Sequence, residues 1–448
     1  AEYRQCRHHC HQENGSGSQT RHTRGSDTFT PGGPIHPRQK ERDKDSTMNE
    51  HAKGVAAPYV LYGMPGSLYT GKVRSYLRKQ GIAFEERTAG DPRFRAKVVP
   101  VVGRWIIPVL QTPQGRTVQD GADIIDYLEQ RNLARQSAYP PTGVHRVISL
   151  IFELFGGEGL LRPAMHYRWN FDDTNLSFLA ADFSSSLAEP GAGEVQRQEV
   201  FTTASARMRR ATQAFGVTPD TAPLVEKSYL EFLDLFEAHL THSPYLLGGR
   251  PTLGDYGLIA PLYAHLGRDP YPATLMKQRA ARVWRWVERM NTPEQGAGEY
   301  QNTSTDLFDA DAVPATLREL LRFIALDYLP EVQAYVEFTN QWLEGAPHIP
   351  VGESGLKKSG ERSIGVTSFA WRGTTLTVAV MPYRLYLLQR VQDAAQALHA
   401  ADRQRLDDLL SDVGLAPLLT LKTTRRVERR QHLEVWGDHP ETPHSSTP

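Results

Sequence analysis

Three hydroxyl side chains follow the first strongly apolar segment of the chain. Ser67, Tyr69 and Thr70 lie at the start of a predicted helix, in the run Tyr62-Gly-Met-Pro-Gly-Ser-Leu-Tyr-Thr-Gly-Lys-Val-Arg74. The first turn of a helix carries unpaired amides and a partial positive charge, which stabilise an anion such as a thiolate. Both cysteines of the chain lie in its first ten residues. We therefore expect the thiol to come from a ligand.

Ser67 is the preferred partner of that thiolate, and Thr70, Tyr69 and Tyr62 are the alternatives. The hydroxyl would donate a hydrogen bond to the sulfur rather than act as a nucleophile. This chemistry requires neither a metal nor a redox cofactor. Serine is also a common helix N-cap, so a purely structural role for Ser67 is the competing interpretation.

An α/β pattern surrounds these hydroxyls. It predicts, in chain order, a strand at Pro58–Gly63, a helix at Ser67–Gln80, a strand at Ile82–Glu86, a charged loop at Asp91–Lys97, strands at Trp105–Gln111 and Arg116–Gln119, and a helix at Asp120–Gln130. Pro108 lies inside one predicted strand, although proline donates no ladder hydrogen bond. A cis-proline at a functional turn would resolve this conflict.

The next two hundred residues have a helical pattern. The main candidates are Val144–Leu161, Leu224–Leu240, Leu253–Leu266, Leu275–Met290 and Pro314–Glu344. The connection Asp172–Pro219, rich in Ser, Ala and Gly, has no assigned structure. Thr252 precedes one helix and Asp255 follows three residues later, which predicts a capping box.

Five segments are predicted: a disordered tail at 1–55, an α/β domain at 56–135, a helical domain at 144–345, an extension at 346–420 and a charged tail at 421–448. Within the extension, Ile364–Trp371 and Thr374–Val380 form a hairpin around Arg372-Gly373, and a helix follows at Tyr383–Ala400. The Arg425–Arg430 cluster is interpreted as part of the solvated tail, with an acidic partner as the alternative.

Composition excludes several classes of protein. Among the 448 residues, 51 Lys and Arg balance 51 Asp and Glu, which argues against nucleic-acid binding. No apolar run is long enough to span a membrane, and no signal peptide is visible ahead of Met48, where we expect translation to start. We expect a soluble, cytoplasmic protein. The run Cys6–His11 contains potential metal ligands but lacks a second cluster at zinc-site spacing, so we predict no metal site.

Four motifs in order resemble the glutathione transferase superfamily. They are Ser67-Leu-Tyr-Thr-Gly-Lys-Val-Arg74, Ile107-Pro-Val-Leu110, Asp120-Gly-Ala-Asp-Ile-Ile-Asp-Tyr-Leu-Glu129 and Pro251-Thr-Leu-Gly-Asp255. The resemblance covers residues 58 to 345. It implies a thioredoxin-like N-terminal domain followed by an all-helical domain, and here also a small extension with a β-hairpin and helix. Met165–Trp169 and Gly257–His265 are most similar to long members that carry a C-terminal extension.

The resemblance also implies a glutathione site. Ser67 takes the place of the catalytic Ser or Cys, and Thr70 joins the glutathione contacts. Ile107, before a cis-Pro108, would pair its backbone with the cysteinyl group. Asp120 and Gly121 match the motif that holds the γ-glutamyl group, although Asp120 could instead only favour the helix dipole. The family has Ser or Thr where Gly121 stands, so a hydroxyl that grips the γ-glutamyl carboxylate is missing.

A second substrate implied by the resemblance is a small apolar electrophile between the two domains. Tyr69, His166, Tyr167 and Arg168 are the candidate pocket residues, and Arg168 could meet an anionic group. The competing interpretation of the last three is an aromatic core stripe with Arg168 at its edge.

The leading hypothesis is a glutathione transferase with a role in detoxification, and the resemblance implies a possible homodimer. A non-catalytic module that binds a partner or ligand is the alternative from another class. A glutathione-dependent lyase, dehalogenase or ether-cleaving enzyme is a third possibility, because fold does not fix chemistry.

Overall fold

The computed structural model describes residues 57–294, 297–301, 304–356, 358 and 360–438. They belong to a compact unit that spans Ala56–Pro448. The predicted tail at 1–55, with its Cys6–His11 cluster, lies outside the described residues.

A four-stranded mixed sheet forms the N-terminal half, in the strand order β2-β1-β3-β4. Its elements are β1 (Tyr59–Gly63), α1 (Leu68–Lys79), β2 (Phe84–Thr88), a π-helical turn (Phe94–Val98) that continues into α2 (Val99–Val102), β3 (Val109–Gln111), β4 (Thr117–Gln119) and α3 (Gly121–Glu129). β1 is parallel to β2 and antiparallel to β3.

Two predictions in this half are wrong in detail. The segment predicted as a loop at Asp91–Lys97 contains the π-helical turn, because Phe94 and Val98 bury their side chains under the sheet. The strand predicted from Trp105 begins only at Val109. The Ile107–Pro108 peptide bond before it is cis, as the proline inside an apolar strand predicted.

Helices make up the second part. They are α4 (Gly143–Leu154), a π-helical turn (Phe155–Gly159), α5 (Leu161–Trp169), α6 (Asp172–Leu187), α7 (Glu194–Gln213), α8 (Ala222–His239), α9 (Leu253–Ala264), α10 (Pro270–Arg279), α11 (Ala281–Met290), α12 (Ala315–Asp327) and α13 (Leu329–Glu344). The unassigned connection is thus two helices, α6 and α7. The predicted capping box of Thr252 and Asp255 is present at the start of α9.

α9 is the central helix of this part. Nearly all of its residues are buried, because it is apolar on every side and packs against α1, α4 and α11. The carboxyl group of Asp255 accepts backbone hydrogen bonds from Thr252 at 2.9 Å and from Leu246 at 3.1 Å. Burial raises the pKa of Asp255 to about 6.

The described part of the chain after residue 345 is also folded. It contains β5 (Gly365–Trp371), β6 (Thr374–Val380), α14 (Pro382–Gln396), α15 (Ala400–Asp412), β7 (Val427–Arg430) and β8 (Leu433–Trp436). β5 and β6 form the predicted hairpin, and both turn residues have positive φ, 48° at Arg372 and 83° at Gly373. The predicted charged tail is wrong for 427–436, which form a second hairpin.

The extension shares its core with the rest of the molecule. A single hydrophobic cluster includes Leu61 and Val73 of the N-terminal half, Ile151 of α4, and Leu387 and Trp436 of the extension. The predicted fold class, a thioredoxin-like α/β domain followed by a helical domain and a small extension, is confirmed. No described helix is both long enough and apolar enough to cross a bilayer.

Candidate functional site

Three chain segments meet at one end of the sheet. Tyr62 of β1 pairs with Val109 at the start of β3, and Val109 pairs with Gln119 at the end of β4. The turn that leads from β1 to Ser67, the cis peptide before β3 and the start of α3 therefore share this end. The tertiary structure thus groups the predicted thiolate site with the predicted peptide-pairing and γ-glutamyl sites.

Ser67 is the N-cap of α1. Its backbone is extended, with φ −90° and ψ 125°, and its hydroxyl oxygen accepts the amide hydrogen of Thr70 at 3.3 Å. The residue is half-buried, so its hydroxyl hydrogen is available to a ligand that approaches the helix end. The capping role and a role toward a thiolate are compatible, because the first uses the oxygen and the second uses the hydrogen.

The predicted glutathione contact of Thr70 is contradicted by its burial. Its side chain has no exposed surface and packs against the backbone of Gly63, where an added Cβ would lie 2.2 Å from the Thr70 methyl group. Tyr69 donates its hydroxyl to a carboxylate oxygen of Glu158 at 2.9 Å. Burial and the neighbouring Glu158 hold the pKa of Tyr69 well above its usual value, so the phenol stays protonated.

The backbone of Ile107, ahead of the cis bond to Pro108, is unpaired among the described residues. Neither the N–H nor the C=O of Ile107 has a hydrogen-bond partner within the described part of the chain. Ile107 is half-buried, and the next peptide group along, the carbonyl of Pro108, accepts the amide of Asp120 at 3.4 Å. An extended peptide ligand can pair with this backbone as a short added strand.

Asp120 is the N-cap of α3 and has an unusual backbone conformation, with φ 91° and ψ 144°. One carboxylate oxygen accepts the amides of Ala122 at 2.9 Å and Asp123 at 3.4 Å. The same oxygen accepts the hydroxyl of Tyr383 at 2.9 Å. A strained non-glycine residue of this kind is typical of functional sites, where the surrounding structure maintains it.

The packing around position 121 explains why a glycine is present there. A Cβ at this position would lie 3.3 Å from Cδ of Lys72, which is a tight contact. Lys72 cannot easily move, because its buried ammonium group is paired with the buried carboxylate of Glu153. Gly121 therefore accommodates the aliphatic part of a lysine that neutralises a charge in α4.

The extension covers the start of α3. Besides Tyr383, Tyr386 donates to Asp123 at 3.1 Å, and Nε of Arg429 donates to the same carboxylate at 3.0 Å. Another nitrogen of Arg429 donates to the side chain of Gln119 at 2.9 Å. Burial and the neighbouring Asp120 raise the pKa of Asp123 to about 6.

A buried charge network lies beside this cover. Arg384 of α14 donates to Glu158 at 2.9 Å and to Glu331 of α13 at 2.7 Å. Glu331 also pairs with Arg162 of α5, and all four side chains are at most 4% exposed. Glu158 thus links Tyr69 in the site to the extension.

Arg168 does not line a substrate pocket. It is 2% exposed, and its three nitrogens donate to Asp269, to the Gly66 carbonyl and to the Ala264 carbonyl, each at 2.7 Å. These bonds hold the loop before Ser67 against the helical part. The interpretation of Arg168 as a partner of an anionic substrate is therefore replaced by a positioning role.

His166 and Tyr167 also lie elsewhere. His166 contacts the carboxylate of Glu226 at 2.9 Å, and burial lowers its pKa. Tyr167 stacks on Phe171, which stacks on Tyr271 with ring centroids 3.9 Å apart. Both predicted pocket residues thus belong to an aromatic cluster against α8, and no described contact joins them to Ser67.

Sequence reasoning missed the contribution of the extension. Tyr383, Arg384 and Arg429 all reach the site, yet none belongs to a motif that points there. The Arg425–Arg430 cluster was the available signal, but an arginine-rich run near a chain end has the same pattern as a solvated tail. No group of three or more metal-ligating side chains occurs among the residues that the structure describes.

Comparisons with known proteins identify the family. The family model of the glutathione S-transferase N-terminal domain matches residues 61–135, and that of the C-terminal domain matches residues 206–289. The chain belongs to the glutathione transferase superfamily. A search of curated proteins gave no match.

Similar solved structures have low identity. A glutathione S-transferase from Rhodospirillum rubrum F11 is 15% identical, with 58% of this chain and 99% of that chain covered and a TM-score of 0.34. Glutathione transferase GSTFuA3 from Phanerochaete chrysosporium is 18% identical, with 54% and 98% covered and a TM-score of 0.39. The β-etherase LigF from Sphingobium sp. strain SYK-6 is 17% identical, with 53% and 97% covered and a TM-score of 0.38.

Proposed function

We propose that the protein is a glutathione transferase that activates the glutathione thiol at Ser67. The observation that carries this proposal is the placement of the half-buried Ser67 hydroxyl at the start of α1, at the sheet end that also holds the unpaired backbone of Ile107 and the carboxylate of Asp120. These groups suit a thiol, a peptide backbone and an ammonium group respectively, which glutathione combines.

The reaction forms one bond and breaks another. The thiolate sulfur attacks a small apolar electrophile, a carbon–sulfur bond forms, and the leaving group departs with its bonding electrons. Ser67 donates a hydrogen bond to the sulfur and is not consumed. Tyr69, held by Glu158, is the remaining candidate for a wall of the electrophile pocket.

The energy required for thiol activation matches what Ser67 and α1 can supply. A free thiol has a pKa of about 8.5, and lowering it to about 6.5 requires about 2.7 kcal/mol. A hydrogen bond to a charged group contributes roughly 1.5–3 kcal/mol, and a helix N-terminus contributes about 0.3–1 kcal/mol. A general base is therefore unnecessary.

The proposal is tested by titrating glutathione into the full chain and by screening electrophile classes for turnover. Ser67→Ala should lower turnover at least tenfold and leave glutathione affinity nearly unchanged. Ser67→Asp should also lower turnover, because its carboxylate caps a helix as well as serine does but has no hydrogen to donate to a thiolate. This variant therefore keeps the stability of α1. Ser411→Ala, which removes an exposed hydroxyl from α15, is the matched control.

Two results would count against the proposal in different ways. Full turnover by Ser67→Ala would remove the serine hydroxyl from the mechanism. No heat of binding at about 10 mM glutathione, where a site of 1 mM affinity would be mostly filled, would remove the thiol ligand itself.

A non-catalytic binding module is the second candidate function. The observation that favours it is the hydrogen bond that the Tyr383 hydroxyl donates to Asp120. This extension residue occupies part of the carboxylate that would bind the ligand. Glutathione binding without turnover against any electrophile class would support this candidate. Lyase, dehalogenase or ether-cleaving activity would appear in the same screen.

Assembly and location are further parts of the proposal. The family implies a homodimer, which light scattering of the full chain would detect. A cytoplasmic location follows from the same family expectation, and cell fractionation would test it.

A further inference from the structure

Ser67 is the last residue of a tight turn between β1 and α1. Its amide donates to the carbonyl of Met64 at 3.1 Å, and this hydrogen bond closes the turn around Pro65 and Gly66. A serine hydroxyl occupies one of three staggered positions about the Cα–Cβ bond. The backbone of the turn therefore determines where the hydroxyl of Ser67 can lie.

Arg168 holds this turn from the helical part. Its Nη1 donates to the carbonyl of Gly66 at 2.7 Å, while its Nε and Nη2 donate to the two carboxylate oxygens of Asp269 at 2.7 and 2.9 Å. Arg168 is 2% exposed, and Asp269 has no exposed surface. A bidentate pair of this kind fixes the plane of the guanidinium, so the donor to Gly66 has a fixed position.

Arg74 holds the other end of the turn from α1. Its Nη2 donates at 3.2 Å to the carbonyl of Met64, the same group that accepts the amide of Ser67. Nε and Nη2 of Arg74 also donate to the carboxylate of Glu86 on β2, each at 2.6 Å. Two carbonyl groups of the turn are thus bound by arginines that cannot easily rotate.

A third ion pair explains the glycine in the turn. A Cβ on Gly66 would lie 2.8 Å from Oδ2 of Asp182 in α6. Nη1 and Nη2 of Arg268 donate to this carboxylate at 3.0 and 2.7 Å, so the carboxylate has little freedom to move. Gly66 does not have a positive φ. Crowding by Asp182, and not backbone conformation, therefore requires the glycine.

We propose that Arg168 and the pair of Asp182 with Arg268 are positioning residues for the thiolate, because they hold the turn so that the Ser67 hydroxyl faces the bound sulfur. These side chains act through the backbone of Gly66 rather than on the ligand. All three belong to the helical part, so the helical part sets how well the N-terminal half activates the thiol. This inference rests on the proposed function of Ser67.

The first test is Arg168→Lys in the full chain, with the pKa of the bound glutathione thiol read from the ultraviolet absorbance of the thiolate. Lysine keeps a positive charge beside Asp269 but has a single nitrogen, so it cannot bind Asp269 and Gly66 in the planar geometry of arginine. The thiol pKa should rise by about one unit, and turnover at acidic pH, where the thiolate is the minor form, should fall about tenfold. The affinity for glutathione should stay nearly unchanged.

Arg289→Lys is the matched control. Arg289 is 8% exposed and donates to the carboxylate of Glu299 at 2.8 Å and to the carbonyl of Pro244 at 2.9 Å, so this variant removes the same kinds of contact from α11. It should lower stability in urea denaturation and leave the thiol pKa unchanged. An equal rise of the thiol pKa in both variants would reflect a general loss of stability and would overturn the positioning role.

The second test, Gly66→Ala, leaves every buried charge in place. Its methyl group would clash with Asp182, so the turn should shift and the thiol pKa should rise. Gly71→Ala is its control, because a Cβ there meets no atom closer than 3.5 Å. A native thiol pKa in either Arg168→Lys or Gly66→Ala overturns this inference while the proposed function stands. Failure of the native chain to bind glutathione overturns both.

Discussion

Lys79 is a lysine of α1 with no exposed surface. Its ammonium donates to the hydroxyl of Tyr245 at 3.1 Å and to the carbonyl of Glu294. Burial, together with the positive charge of Arg289, lowers the pKa of Lys79 to about 7. In the unfolded chain the same group has the ordinary lysine pKa, so folding favours the neutral form.

This shift predicts how stability depends on pH. Between pH 7 and 10.5 the unfolded chain binds more protons at Lys79 than the folded chain does. The free energy of unfolding therefore rises with pH in this window and is lower at pH values below 7. Lys79→Met should be more stable than the native chain at pH 7. A difference of one bound proton changes the free energy of unfolding by about 1.4 kcal/mol per pH unit. The higher stability of Lys79→Met should therefore shrink by up to that amount for each unit by which the pH is raised.

Urea denaturation at a series of pH values from neutral to mildly alkaline measures this effect. Lys97→Met, at an exposed lysine, should follow the native curve. A constant difference between Lys79→Met and the native chain at every pH would mean that Lys79 is charged throughout.

At the scale of elements, Arg384 of α14 neutralises two buried carboxylates of the helical part. Arg384 is the shared partner of Glu158 and Glu331, which lie in segments far apart in the chain. A buried ion pair does not by itself add much stability, because desolvation offsets the attraction. Removal of one partner is nevertheless costly, since the other charge stays buried and unpaired.

Arg384→Met should therefore destabilise the chain by about 3–5 kcal/mol. Arg426→Met is the matched control, because Arg426 forms an exposed pair with Asp393 and should contribute about 1 kcal/mol or less. Chemical denaturation of both variants at pH 7 provides the comparison. Equal losses in the two variants would show that the charges around Arg384 are solvated rather than buried.

At the scale of the whole molecule, the extension is part of the fold. Its apolar residues join the same cluster as those of the sheet and of α4. Its polar residues reach Asp120, Asp123, Asp126 and Glu158. The extension therefore completes both the core and the charge balance, and we expect neither part to be stable alone.

Truncation tests this interdependence. A chain that ends at residue 345 should fail to give a cooperative unfolding transition, because it exposes core surface and leaves several buried carboxylates unpaired. Co-expression with a separate chain of residues 346–438 should restore the transition. A cooperative transition for the truncated chain alone would show that the extension is only an accessory layer.

The sequence does not predict α6, α7 or the hairpin of β7 and β8, but it does predict the family motifs, the strands of the N-terminal half, the cis-proline, the capping box and the first hairpin. These features depend on neighbours within a few residues, and local patterns of polarity, proline and glycine report such contacts directly. Ser67 and Asp120 were found for the same reason, because each begins a helix.

The surroundings of those residues follow from tertiary packing and not from local patterns. The hydrogen bond from Tyr383 to Asp120 joins residues 263 positions apart, and no periodicity encodes a pairing at that distance. The same limit explains why Arg168, Thr70 and the arginines near the C-terminus were misplaced. A residue type shows that a side chain can bind an anion, but only packing determines whether its partner is a ligand or another part of the chain.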